Sequence, residues 1–395
     1  MNRLTLLIAA ALLLVFHSCK KGETIAPENY NCNFNFADSS AVNPDASKYQ
    51  GLLDGITSQG VVGIMMSVCR PQTGMWVGAS GKADLHNGVD MKPCNISRVG
   101  STVKMFTAVT VLKLAEEGKL QLDDKISAYL QGDVIDKIEN ADKATIRQLL
   151  QHSSGMYNYI QNLEFQTAST NDLIREWKPE DLLKYAYNKS AYFAPGEDVG
   201  YSNTNYIMLG LLIEKIEGKP FYKVFEEKLF LPLGLTLTSF AAEDPVPDDI
   251  VRGYIDIYSN LQVMESTYYS GWDYYCADGG LISNPYDMSV FFRALMKGEI
   301  LNPSSMNEML TWIAPKNPDP EFFPMYYGLG IFKMETPYGI AYFHSGDAIG
   351  YYANMMYLPA DSTTIVYEVN SNYGKIDQFV STRDAMSHIL GIVLE

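Results

Sequence analysis

The sequence predicts an α/β (α+β) fold: an antiparallel sheet flanked by helices, with an all-helical lobe inserted between its strands. Apolar, β-rich segments stand at both ends of the chain, Val61–Val68 and Met75–Ser80 early, then Leu329–Met334, Ile340–His344, Tyr351–Leu358 and Thr363–Asn370 late. Between about Leu120 and Pro245 the patterns are almost all helical. The chain has 395 residues, 47% of them hydrophobic, enough for a sizeable core and long for one compact lobe. Strands at both ends of a helical stretch imply one sheet and an inserted lobe. The expected boundaries are an α/β lobe at about 48–118 and 270–395 and a helical lobe at about 119–269.

The elements follow in order. Arg3 and the apolar run Leu6–Phe16 read as a secretory signal peptide over residues 1–18, too short for a membrane span. Phe16-His17-Ser18-Cys19 resembles a loose lipobox, which makes Cys19 the expected lipidation site; ordinary cleavage and free secretion is the alternative. Residues 19–47 are polar, without sustained period, and read as a lipid-anchored tether. Val61–Val68 and Met75–Ser80, joined by Arg70-Pro71-Gln72-Thr73-Gly74, form a hairpin. A helix follows with Met105, Ala108, Leu112 and Ala115 on one stripe and Gly118 as its stop. Helices are expected at Thr145–Gln151, Pro179–Asn188, Asn205–Glu217, Phe221–Leu229, Pro285–Lys297 and Ile376–Leu390. An aromatic cluster, Tyr254, Tyr258, Tyr268, Tyr269, Trp272, Tyr274 and Tyr275, either rims a cleft or packs a loop.

Chemistry concentrates at Gly100-Ser101-Thr102-Val103-Lys104. Residues three apart share a helix face, so Ser101 and Lys104 meet one turn apart. A lysine in an apolar setting must be paired or give up its proton, and the second behaviour activates a nucleophile. The plain reading is a helix cap beside a solvated lysine. Further along, Tyr201-Ser202-Asn203 closes a turn-rich loop just before a helix, and His344-Ser345-Gly346-Asp347 carries a strand into a glycine, a sign of close backbone approach. Leu149-Leu150-Gln151-His152-Ser153-Ser154-Gly155 and Asp278-Gly279-Gly280-Leu281-Ile282-Ser283 flank these.

Ser-x-x-Lys, Tyr-x-Asn and His-x-Gly in that order resemble the serine β-lactamase and penicillin-binding protein superfamily, in the branch of class C β-lactamases, DD-carboxypeptidases and related esterases. The two flanking segments are similar to that family's Leu-Leu-x-His-Thr-Ser-Gly and Gly-Gly-Leu-x-Ser stretches. The resemblance runs from about Tyr49 to the C-terminal helix and implies a β-lactamase/transpeptidase-like fold. It makes Ser101 the nucleophile of an acyl-enzyme and Lys104 or Tyr201 the base. It also implies that Asn203 hydrogen-bonds Lys104 and substrate, and that the backbone N–H groups of Ser101 and Asp347 form the oxyanion hole. His344 replaces the usual lysine, removing a constitutive charge while leaving a hydrogen-bond donor for Tyr201; a core histidine is the plainer reading. His152 is expected to close a loop by hydrogen bonding and not to be catalytic.

The function expected is an envelope serine hydrolase forming an acyl-enzyme on an amide or ester, whether DD-peptidase-like, esterase or β-lactamase-like. The competing class is a catalytically silent domain that binds a cell-wall or peptide ligand. Substrate-binding residues are Asn203, His344, Ser345, Gly346 and Asp347. Ser345 and Asp347, two apart on a strand, share a face, where DD-carboxypeptidases meet a substrate carboxylate with hydroxyls; an aspartate repels it, unless a bulge turns it away or Lys333 offsets its charge. No Gly-x-Ser-x-Gly is present, which disfavours a Ser-His-Asp hydrolase. A net charge of −16 argues against nucleic-acid partners. Partners are a small-molecule or peptidoglycan-like substrate and, through the anchor, a membrane. No cofactor is expected, and no Cys-x-x-Cys or His-Glu-x-x-His spacing supports a metal. In an oxidising compartment Cys32, Cys69, Cys94 and Cys276 allow up to two disulfides in three pairings.

Overall fold

The computed structural model describes residues 42–240, 250–269 and 276–395. The expected signal peptide, Cys19 and most of the tether lie outside these residues, as do Cys32, Trp272, Tyr274 and Tyr275. The first long element is helix α1, Ala46–Ser58, which the sequence did not announce; Ala46 and Ser47, placed at the end of the tether, form its first turn. Tyr49, Leu52, Leu53 and Ile56 recur at helical spacing and are its buried residues.

The hairpin β1 (Gly63–Arg70) and β2 (Gly74–Asp84) is followed by a short β3 (Val89–Asp90). The late strands are β4 (Met325–Tyr327), β5 (Phe332–Thr336), β6 (Gly339–Ala348), β7 (Tyr351–Leu358) and β8 (Thr363–Val369). Together they form an eight-stranded sheet in the order β3-β2-β1-β8-β7-β6-β5-β4, each neighbour antiparallel. Early and late segments meet at the β1–β8 pair, where Ile64 lies opposite Val369 and Val68 opposite Ile365.

Period-two alternation divides the core. Ile365, Tyr367 and Val369 pack with Tyr49, Leu53 and Ile56 of α1 and with Ile389, Leu390 and Val393 of the C-terminal helix, Arg383–Leu394. On the other face, Val366, Met355 and Ala353 join a larger core built from helices α2 (Val103–Glu116), α3 (Asn203–Glu217) and α4 (Pro285–Met296). Met105, Ala108 and Leu112 of the expected stripe are buried, and burial extends beyond the stripe to every residue from Val103 to Leu112, because α2 lies inside this core. Among the described residues no helix is long and apolar enough to cross a membrane.

Cys94 is disulfide-bonded, while Cys69 and Cys276 are buried thiols. The two-disulfide arrangement is therefore not adopted. Of the aromatic cluster, Tyr254 is buried with its hydroxyl accepting the Leu85 N–H, Tyr268 accepts a hydrogen bond from Arg252 and Tyr258 is exposed.

Candidate active site

Ser101 sits in a single 3₁₀ turn, Gly100–Thr102, which runs directly into α2. The backbone stays helical across the junction, so the three-residue offset brings the pair together: Lys104 Nζ donates to Ser101 Oγ at 2.9 Å. Lys104 is fully buried. Its Nζ also donates to the backbone carbonyl of Asp278 at 2.5 Å and lies 5.1 Å from the Tyr201 ring centre and 5.6 Å from that of Tyr206. Asp278 is thus a site residue that the sequence showed only as part of a glycine-rich loop. The loop is pinned to α2, where Thr107 Oγ1 donates to Ala277 O at 2.7 Å.

The glycine of His-x-Gly has a steric reason. A Cβ on Gly346 would stand 2.0 Å from Val99 O and 2.6 Å from Ser101 N, and one on Gly100 would stand 2.8 Å from Asp347 N. Facing glycines let β6 close onto the turn that carries the nucleophile. The nitrogens of Ser101 and Asp347, the expected oxyanion donors, both lie at this strand–turn contact. Pairing of β6 with β7 runs without a register shift from Tyr342 to Ala348, so no bulge turns Asp347 away. Ser345 and Asp347 line the same cleft as Ser101. Asn372 orients the carboxylate, donating to Asp347 Oδ1 at 3.1 Å while also bonding the carbonyls of Ala348 and Tyr351. The Lys333 Nζ lies over the Tyr326 ring, 3.9 Å from the centre.

His344 departs from the expected donor role. Its Nδ1 is 2.7 Å from Ser345 O, and a carbonyl only accepts, so the proton is assigned to Nδ1 and Nε2 is left as a buried acceptor without a protein partner. Burial first, and then the nearby Lys104 charge, push His344 down to about 3, so the ring is neutral in any ordinary buffer. Tyr201 and Asn203 arrive from the loop before α3. Ser202 stands at the N-cap position without a side-chain cap bond, Asn203 opens the helix, and the Asn203 N–H donates to Asn158 Oδ1 at 3.1 Å. Both Tyr201 and Asn203 line the cleft, which encloses about 550 Å³.

The rest of its lining, not foreseen from the sequence, is largely apolar and aromatic: Phe322, Phe323, Met325, Tyr327, Phe332 and Phe343. The segment that supplies Phe322 and Phe323 is tied to the Tyr201 loop, where Asp198 accepts the Lys316 N–H at 2.9 Å and Lys316 Nζ meets Glu197 at 3.0 Å. No arginine or lysine side chain is among the described lining residues. Among the described residues, no group of His, Cys, Asp and Glu is arranged to hold a metal ion.

A serine bonded to a buried lysine, with a tyrosine ring beside that lysine, is the arrangement by which Ser-x-x-Lys hydrolases activate a nucleophile. The chain belongs to the Beta-lactamase family, whose model matches residues 46–386. Penicillin-binding protein 4* of Bacillus subtilis is 27% identical over 306 residues, covering 73% of this chain and 64% of that protein. Protein flp of Staphylococcus aureus is 28% identical over 193 residues, 49% of this chain and 37% of flp. The matches thus span less than two thirds of these relatives' own length. Among solved structures, a D-stereospecific amidohydrolase from Streptomyces sp. has a TM-score of 0.77 at 28% identity, covering 89% of this chain and 99% of that one. D-amino acid amidase from Ochrobactrum anthropi SV3 shares the fold, with a TM-score of 0.77 at 24% identity over 88% of this chain and 97% of that one.

Proposed function

We propose that this serine hydrolase is an envelope enzyme that forms an acyl-enzyme through Ser101 on neutral amides or esters bearing a bulky apolar group, and that it disfavours substrates with a free carboxylate beside the scissile bond. The observation that carries this reading is Asp347, an anionic side chain beside Ser345 in a cleft whose described lining has no arginine or lysine. A carboxylate there meets a like charge, whereas an amide, ester or amine does not. The neutral His344 adds no cation. The aromatic wall supplies the apolar contact, and the D-stereospecific amidohydrolase among the solved relatives supports the amide reading. In the reaction, Ser101 Oγ attacks the carbonyl and its proton passes to Lys104 or Tyr201. The oxyanion is held by the two backbone N–H groups. The tetrahedral adduct collapses as the leaving group takes a proton, and water hydrolyses the ester at Ser101.

The test compares kcat/KM for matched substrates with and without the carboxylate, in the wild type and in Asp347→Thr. The wild type should prefer the uncharged partner, and the substitution should narrow that preference by roughly tenfold, the effect of about 1.4 kcal/mol. A wild-type preference for the carboxylate that survives the substitution would make DD-carboxypeptidase the better reading. The envelope location rests on the proposed anchor at Cys19. Labelling by a palmitate analogue, lost in Cys19→Ser, tests it; wild-type protein recovered unlabelled and wholly soluble rejects it.

A further inference from the structure

The short helix Ile146–Leu150 ends on His152, which has a left-handed φ of +56°. Glycine or asparagine is the usual residue at such a helix end, because a larger side chain there is strained. A histidine kept in that conformation, and buried, points to a use for its ring. The contacts show one. The Gly200 N–H donates to the His152 carbonyl at 2.8 Å, and the Ser202 N–H donates to its Nδ1 at 3.1 Å. Between those two residues stands Tyr201, whose ring lies against the imidazole with centres 4.4 Å apart and planes 30° apart. One side chain and its own carbonyl therefore grip Tyr201 from the residue before, the residue after and the ring face.

We propose that His152 is a positioning residue that holds Tyr201 over Lys104 for acyl transfer. The proposal rests on the reading of Ser101, Lys104 and Tyr201 as the reacting set. Because Nδ1 accepts from Ser202, the ring proton is on Nε2. The titratable groups around the ring are Lys104, the neutral His344, Tyr201, Tyr206 and Tyr327; burial first, and then the Lys104 charge, disfavours an imidazolium and keeps the acceptor available.

The experiment uses the full-length protein and three variants. His152→Ala removes the acceptor and the ring. His152→Asn tolerates the left-handed backbone and retains an acceptor oxygen. Asn140→Ala is the control, because Asn140 Nδ2 donates to Ser154 O and Phe193 O at 2.9 Å each and braces the same loop without touching Tyr201. A fluorophosphonate reports whether Ser101 reacts, and kcat, KM and the pH profile of kcat/KM are measured on one neutral ester. Expected is a loss in kcat of roughly 10- to 100-fold in His152→Ala with KM within about twofold, the scale of a misplaced catalytic group. The acid limb of its profile moves up, because the phenol has left the lysine. His152→Asn recovers part of the rate, while Asn140→Ala lowers the melting temperature and leaves the profile in place. The clamp is overturned if folded His152→Ala keeps the wild-type kcat and acid limb, or if Asn140→Ala moves the limb equally. If His152→Ala does not fold, His152→Asn decides by the same limb. Failure of the wild type itself to be labelled at Ser101 sinks the hydrolase reading instead, a separable result.

Discussion

At the scale of single residues, the site works by removing alternatives from each side chain. Lys104 is buried and donates to Ser101 Oγ and Asp278 O, which holds its Nζ at the nucleophile and beside the Tyr201 ring. Residues acting as one unit lose their effect together. Ser101→Ala should abolish fluorophosphonate labelling and turnover, and Lys104→Ala and Tyr201→Phe should each slow acylation by about 10²-fold or more, measured by stopped flow with a chromogenic ester. Full activity in either of the last two would remove that residue from the base pair. His344 has the opposite character: burial holds it neutral, so no activity change between pH 5 and 8 traces to its ionisation.

At the scale of elements, the site is a meeting of the 3₁₀ turn Gly100–Thr102, strand β6 and the loop before α3. The first contact is backbone on backbone, and it admits no side chain at Gly346. Gly346→Ala should therefore push β6 off the turn, since its methyl would meet Val99 O at 2.0 Å, which no rotamer change relieves. The expected outcome is a loss of kcat of roughly 10²-fold or more, from displaced oxyanion donors, with a melting temperature also reduced. A variant with wild-type kcat would show that the donors lie elsewhere. The strand–turn contact was partly legible: glycine in a strand signals close approach, though not which backbone approaches.

At the scale of the whole molecule, one feature of the sheet works against stability. Glu368 stands on the interior strand β8, between Met65 and Ala353, fully buried with no protein partner for either carboxyl oxygen. Burial, reinforced by Asp287, raises Glu368 well above its ordinary value, and burial raises Asp287 to about 6 despite hydrogen bonds from Leu237 and Thr238. The folded state thus binds protons that the unfolded state has released. Stability from these groups is present below the ordinary carboxylate range, near 3.8 for Asp287 and 4.5 for Glu368, and is lost as pH rises through the elevated folded values. Glu368→Gln should remove part of that slope. Its melting temperature should equal or trail the wild type at pH 4 and exceed it at pH 7.5, by the equivalent of roughly 1–3 kcal/mol. A difference independent of pH would reject the assignment.

What the sequence by itself determined at the site was governed by local backbone geometry. One helical turn joins Ser101 to Lys104, and a period of two puts Ser345 and Asp347 on one side of β6. Those relations hold whatever surrounds them, because they follow from rise and repeat. Tertiary structure decided the rest. The Asp278 carbonyl reaches Lys104 across 174 residues, Phe322 and Phe323 wall the cleft, His152 brackets Tyr201 and the His344 proton is fixed by its neighbour's carbonyl. The sequence stripe marked one face of α2, but burial extends all round it from Val103 to Leu112, because a stripe does not show how many elements pack around a helix. Charge, burial and hydrogen-bond direction are properties of a surrounding, and distant parts of the chain supply that surrounding only when they pack together.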